Sequence, residues 1–379
     1  MDLMAFLDSK MTDLETIVYQ AKQSIDIHDD EMLLVVGSLV EGLGTTKSDL
    51  DLLLLTKRDP THLPLNEHFN WVSGKCLVDL WVLSKPYVDN LLKRFSHWCA
   101  APWDATDTAA FDLPQRTLLH RIATGIWLAS EGNQTNEPYP RPDIVDISRL
   151  KLHVARHEAR TVQVDMAGLV DGEDYRTLAF AAVQLAGLAI DAVLAGHLQN
   201  NFTQKWRSRL LDDVPSTWSP QVNPALKGSV GSIIWDLLRF PETYKPDYIL
   251  PFAHRIATYS RAVFVWSEQV LLHRHFDVGQ QFSYAKTETH GDGEKLPFLD
   301  FDVDYSITAD GQSLGRLNEF EEAMPITTAE LEAALLFDGR TTIDEADKWI
   351  SATHNIEFST ELFLKRCTKH GLLRKDSFV

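Results

Sequence analysis

Residues 35–55 read VVGSLVEGLGTTKSDLDLLLL. An apolar run closes on Gly37-Ser38, and after a glycine-rich stretch a second apolar run opens with Asp49 and Asp51. In a strand, residues i and i+2 share a face, so Asp49 and Asp51 are expected to project together while Leu50 and Leu52 enter the core. Carboxylates are costly to desolvate without a cationic partner, so this stretch needs a nearby cation or a solvent-open sheet end. A third carboxylate, Asp79, interrupts the next apolar run, Leu77-Val78-Asp79-Leu80-Trp81. If that run lies beside the second strand, Asp79 joins the same cluster. Three carboxylates are a hard oxygen donor set of the kind Mg²⁺ takes together with water and substrate phosphate.

The segment between the two strands suits a phosphate. Gly37 permits close backbone approach, and the N–H groups of an expected short helix, with the Ser38 hydroxyl, would donate to phosphate oxygens. Thr45, Thr46 and Ser48 add hydroxyls, and Lys47 beside the aspartates is a candidate phosphate contact. A Walker loop is excluded, because no Gly-Lys-Ser/Thr follows the glycines.

Val36-Gly37-Ser38, ten intervening residues, Asp49-Leu50-Asp51-Leu52, and Asp79 between Val78 and Leu80 together resemble the signature of the DNA-polymerase-β-like nucleotidyltransferase superfamily, including its small-molecule, aminoglycoside-modifying type. The resemblance covers about residues 30–85. It implies that Asp49, Asp51 and Asp79 are catalytic and bind two Mg²⁺ ions. It further implies that Gly37 and Ser38 hold the β- and γ-phosphates; Ser48, in the matching Ser-Asp pair, and the neighbouring Lys47 are the other nucleotide-binding candidates. The implied substrate is an NTP, ATP foremost. The implied reaction is in-line attack by an acceptor hydroxyl at the α-phosphorus, with pyrophosphate leaving. The acceptor is a small molecule or a peptide. Protein nucleotidylation, synthesis of a nucleotide oligomer or cyclic dinucleotide, and a non-catalytic binding module are the alternatives.

The rest of the chain sets limits. With 379 residues it exceeds one typical core and suggests two or three domains. Asp and Glu outnumber Lys and Arg by 54 to 36, a formal charge of −18, which argues against binding extended nucleic acid. The densest basic cluster, Lys205-Trp206-Arg207-Ser208-Arg209, reads as a solvated helix face, with a position facing the triphosphate as the alternative. Cys76, Cys99 and Cys367 form no CxxC pair and suggest reduced thiols in a cytoplasmic protein. No run is expected to cross a membrane and no signal peptide is evident. His153 and His157 share a helix face without a third zinc ligand in view.

The expected fold class is α+β: a mixed, polymerase-β-like nucleotidyltransferase sheet with helices, then a helical bundle, then a C-terminal winged-helix-like module. The corresponding domains are 1–130 (catalytic), 131–145 (linker), 146–280 (helical, substrate-facing) and 281–379 (short strands and winged helix). Expected strands are Met32–Val36, Leu50–Thr56 and Lys75–Ser84, with 57–69 a loop and a Pro86-started helix following. Residues 118–129 read as a helix or as a strand turning at Gly125. Three helices are expected in the tail, with Thr341 and Thr360 as caps and Gly371 as a terminator. The stretch LLFDGRTTIDEADKWI…LFLKRCTKHGLL is similar to the PqqD-like domain, which implies a peptide or protein partner as the alternative to a purely structural role.

Overall fold

A computed structural model describes residues 1–25, 27, 31–57, 67–103, 110–128, 140–214, 230–273, 293–308, 311–318 and 323–374. The chain is α+β with a mixed five-stranded sheet. It divides into two compact units, Met1–Ile147 with Asn200–Trp206, and Ser148–Gln199 with Arg207–Val379. Most of the expected linker at 131–145 lies outside the described residues, as do residues 215–229 and 274–292.

The first unit opens with α1 (Leu3–Lys10) and α2 (Leu14–Ile25). One helical periodicity runs through both, but Met11 turns left-handed at φ 58° and Asp13 accepts the Thr16 N–H at 2.7 Å, restarting the helix. Strands β1 (Met32–Val36) and β2 (Leu50–Thr56) have the bounds their apolar runs predict. An additional strand, β3 (Glu67–Ser73), begins in the last three residues of the loop expected at 57–69 and turns through positive-φ Gly74 into β4 (Cys76–Ser84). Then come α3 (Lys85–Ala100), with Pro86 in its first turn, α4 (Leu113–Thr124) and β5 (Ile126–Leu128). The two readings of 118–129 are thus both realised, a helix ending at Gly125 and a strand after it. Asp112 starts α4 with a reciprocal cap to Gln115.

The strand order is β3-β4-β2-β1-β5, with β2 and β4 parallel and all other pairs antiparallel. Alternation sorts the side chains. Leu50, Leu52 and Leu54 of β2 and Cys76, Val78, Leu80 and Val82 of β4 are buried in one core with Phe6, Leu7 and Ile17 of the two N-terminal helices. Each fully buried Leu contributes roughly 1.5–3 kcal/mol. Leu53, Leu55 and Leu83, of opposite parity, are buried too, and α3 packs on β2 and β4 while α4 packs on β1. Burial on both faces makes β2 read as an unbroken apolar run, and Asp51 stands at the start of its second face.

The second unit holds most of α5 (Ile144–Asp171), then α6 (Tyr175–Gly196), α7 (Arg207–Asp212), α8 (Val230–Leu237) and α9 (Pro246–His273). Contrary to the sequence expectation, α6 is apolar and long enough to cross a membrane. In the fold 67% of its most apolar 18 residues are buried, and its main neighbour is α9. An antiparallel sheet follows, β6 (Val303–Thr308), β7 (Gly311–Arg316) and β8 (Met324–Ile326), in that order. The three expected tail helices are α10 (Thr328–Ala334), α11 (Ile343–His354) and α12 (Thr360–Lys369).

Two caps differ from expectation by one residue. Thr342, not Thr341, caps α11, because Glu345 three residues on completes the reciprocal pair. Ser359, not Thr360, caps α12. Gly371 does take the positive φ, 65°, just past α12.

Candidate active site

Asp51 and Asp79 are direct partners on adjacent parallel strands. Neighbouring strands lie about 4.8 Å apart and partners share a face, so the two carboxylates emerge side by side. The same rung continues to Val36 of β1 on one side and Asn70 of β3 on the other. Asp49 is exposed and lies one residue ahead of β2, outside the ladder.

Gly37 has a specific task here. Its φ is +83°, and a Cβ on it would collide with Asp51 Oδ2 and sit 2.9 Å from Cγ. The glycine therefore gives Asp51 room, a role its phosphate-cradle reading did not include. Gly37→Ala is expected to destabilise the first unit by about 1–3 kcal/mol through the left-handed φ and the displaced carboxylate. Thermal melts of the variant check this; an unchanged melting temperature contradicts it.

The expected short helix after Gly37 is absent. Residues 38–42 form turns instead, with Val40 N–H donating to Gly37 O at 3.2 Å, Gly42 to Leu39 O at 3.3 Å and Leu43 to Ser38 O at 2.8 Å. Positive φ at Gly42 (71°) stops a helix from propagating. Any anion donors at this point are turn N–H groups. Ser48 and Lys47 belong to a second turn: Ser48 Oγ accepts the Thr45 N–H at 2.9 Å, and the Lys47 N–H donates to Thr45 Oγ1 at 3.2 Å. The Lys47 side chain is exposed.

The cations that act on Asp51 come from elsewhere, Arg121 on α4 first and Lys205 second. Arg121 Nη2 lies 3.4 Å from Asp51 Oδ1, and its guanidinium sits over the Trp81 ring, 5.2 Å from the centroid. Burial, reinforced by Asp49 and Asp79, nevertheless pushes the Asp51 carboxyl up to about 6. Trp81 Nε1 donates to Asp79 Oδ2 at 3.0 Å, and His68 Nδ1 stands 3.5 Å from Asp79 Oδ1. Asp79 Oδ1 is buried with no hydrogen-bond partner.

Beside this lies a polar clip. Glu41, in the glycine turn, meets His120 Nε2 at 3.0 Å and accepts from Asn201 Nδ2 at 3.0 and 3.2 Å. Phe202 packs edge-on against His120, with ring centroids 6.3 Å apart. The segment Asn200–Trp206 thus belongs to the first unit, and the basic cluster, read as a solvated face or as facing the triphosphate, is divided. Lys205 acts on Asp51, while Arg207 pairs with Asp191 in the second unit.

Among the described residues, no three His, Cys, Asp or Glu converge closely enough to hold a metal ion as they stand. Arg121, Trp81 and His68 occupy the flanks of the carboxylates instead. The donor chemistry still suits a hard divalent cation: an all-carboxylate set with a buried oxygen, Asp79 Oδ1, that has no hydrogen-bond donor. Sequence reasoning missed Arg121, His120, Glu41 and Asn201. Nothing in their spacing marks them, since 70 residues separate Arg121 from Asp51 and 160 separate Asn201 from Glu41. No family model matches the chain, and no curated protein matches it.

Proposed function

We propose that the first unit is a polymerase-β-like nucleotidyltransferase that moves an NMP from an NTP, ATP foremost, to a hydroxyl of a small molecule or peptide. One observation carries the reading: two carboxylates share a rung of the sheet beside the glycine turn that makes room for one of them. A purely structural pair of aspartates at this place would pay for like-charge repulsion with no return.

In this reading Asp49, Asp51 and Asp79 hold Mg²⁺, which when bound neutralises phosphate charge and draws electrons from the α-phosphorus. The chain's own groups position the reactants. Turn N–H groups after Gly37 and the Ser38 hydroxyl receive phosphate oxygens, and Asp79 Oδ1 orients the acceptor hydroxyl for in-line attack as pyrophosphate leaves. The C-terminal segment 281–379 is read as winged-helix-like and suited to a peptide or protein partner.

The test incubates the full chain with Mg²⁺ and α-phosphate-labelled ATP, CTP, GTP or UTP, with and without a panel of hydroxyl-bearing acceptors. Pyrophosphate release with label moving to an acceptor, both abolished by EDTA, is the expected result. Label on the protein itself redirects the reading to protein nucleotidylation, and a new soluble nucleotide to oligomer synthesis. No transfer under any combination overturns it.

A further inference from the structure

We infer that Arg121 and a divalent cation compete for Asp51, and that the guanidinium released by the cation grips the nucleotide's triphosphate. The second half rests on the nucleotidyltransferase reading; the first half does not.

The geometry makes Arg121 a displaceable counter-ion. Its contact to Asp51, 3.4 Å, is long beside the 2.7–2.9 Å of a strong charge-assisted bond. The two side chains are 21% and 16% exposed, so solvent and solutes reach the pair. Arg121 also has a second support. The Trp81 ring lies under its guanidinium, and Trp81 is itself tied to Asp79 through Nε1. Stacking holds a guanidinium by its face and leaves the N–H edge available to turn.

The backbone beneath Arg121 is fixed. His120, the preceding residue of α4, is buried and bound to Glu41 of the glycine turn, and Asn201 closes the same carboxylate from the 200–206 segment. The helix is therefore pinned to the turn that the proposed phosphate site uses. Arg121 can exchange partners by side-chain rotation while α4 stays in place.

Charge sets the direction. Asp49 and Asp79 also act on Asp51, so a divalent cation is drawn to the same carboxylates. Once it binds Asp51, it repels the guanidinium and removes its partner. A triphosphate arriving with the cation then offers several anionic oxygens. The five donors of a guanidinium match them in the bidentate geometry that lysine lacks.

The experiment measures two affinities on the full chain with Arg121→Gln and Arg121→Lys. Mn²⁺ binding to protein alone is read by electron paramagnetic resonance. Binding of a non-hydrolysable ATP analogue, and of inorganic tripolyphosphate, is read by calorimetry with Mg²⁺ present. Removing the competitor should tighten Mn²⁺ in Arg121→Gln by about two- to fivefold. The same variant should bind both phosphate probes about 10- to 100-fold more weakly. Arg121→Lys keeps the charge but loses the fork, so it should leave Mn²⁺ near wild type and still weaken the phosphate probes. A structural role for Arg121 would weaken every ligand together. Mn²⁺ affinity unchanged or weaker in Arg121→Gln, or phosphate affinity unchanged, overturns the assignment of Arg121. Absence of Mn²⁺ binding to the wild type overturns the metal reading of the site itself.

Discussion

Asp51→Asn is expected to abolish nucleotidyl transfer and to make the metal-free protein more stable at neutral pH. Removing a carboxylate that would hold the cation takes away several kcal/mol of charge stabilisation, a loss of at least about 10³-fold in turnover. The stability change has the opposite sign. Burial, then Asp49 and Asp79, raise the Asp51 carboxyl from 3.8 to about 6, against the attraction of Arg121 and Lys205. A carboxyl whose pKa rises on folding binds its proton more tightly in the folded state. Its contribution is fully present below 3.8 and is lost as pH climbs through about 6. Above that point the ionised wild type carries a penalty on the order of 1–3 kcal/mol that asparagine does not.

The advantage of Asp51→Asn over wild type should therefore vanish near pH 4, grow between about pH 4 and pH 6, and level off above. Added Mg²⁺ should erase the advantage at pH 7.5 or so by stabilising the wild type alone. Paired thermal melts across this range, with and without Mg²⁺, check both statements. A variant that turns over like wild type, or that melts lower at neutral pH, contradicts the reading of Asp51 as a strained metal ligand.

Asp304→Ala is expected to be the most damaging single change in the second unit, costing about 3–5 kcal/mol. Asp304 is 0% exposed, and its Oδ2 receives Arg156 Nη2 at 2.9 Å and Arg160 Nε at 3.0 Å. Arg156, also buried, reaches Glu268 at 3.3 Å, donates to Tyr305 O at 3.1 Å and covers the Tyr305 ring at 3.9 Å. Arg261 of α9 donates through Nε to Val303 O at 2.9 Å, so β6 is fastened to both long helices by buried guanidinium groups. Burial alone would push the Asp304 carboxyl up, yet Arg156 and Arg160 hold it below the ordinary carboxylate range.

The sign is therefore opposite to that of Asp51. The Asp304 contribution is present above the ordinary aspartate value of 3.8 and is lost as pH falls through its lower folded value. Alanine leaves Arg156 charged without its main partner in a site that excludes water. Replacing Asp304 and Arg156 together by apolar residues should recover part of the loss, because the uncompensated charge leaves with its partner. Chemical denaturation of the single and double variants tests this. A double variant no better than the single would show that packing, not stranded charge, dominates.

The legible parts of the fold were those that depend on neighbours in sequence. The bounds of β1 and β2 followed from apolar runs broken by Gly37 and by Asp49. Pro86 marked the start of α3, whereas 118–129 stayed open between helix and strand until the structure divided it at Gly125 into α4 and β5. Strand β3 was not legible, because EHFNWVS mixes charge and aromatics and follows a stretch of sequence with two prolines, Pro60 and Pro64. Only its pairing with β4, which turns Phe69 and Trp71 toward the core, makes it a strand. The helix expected after Gly37 failed because a glycine with positive φ, tolerable in a turn, cannot propagate one.

By itself the sequence determined that carboxylates stand at the head of a buried strand, a short step after a Gly-Ser pair that closes another apolar run. Strand alternation and the desolvation cost of charge are local physics, and a linear reading captures them. Which strand Asp79 would join, which cation would meet Asp51, and which residues would pin the glycine turn were decided by tertiary structure alone. Those contacts join points 28 to 160 residues apart. Their partners are selected by how whole elements pack, and no periodicity in the chain records that choice.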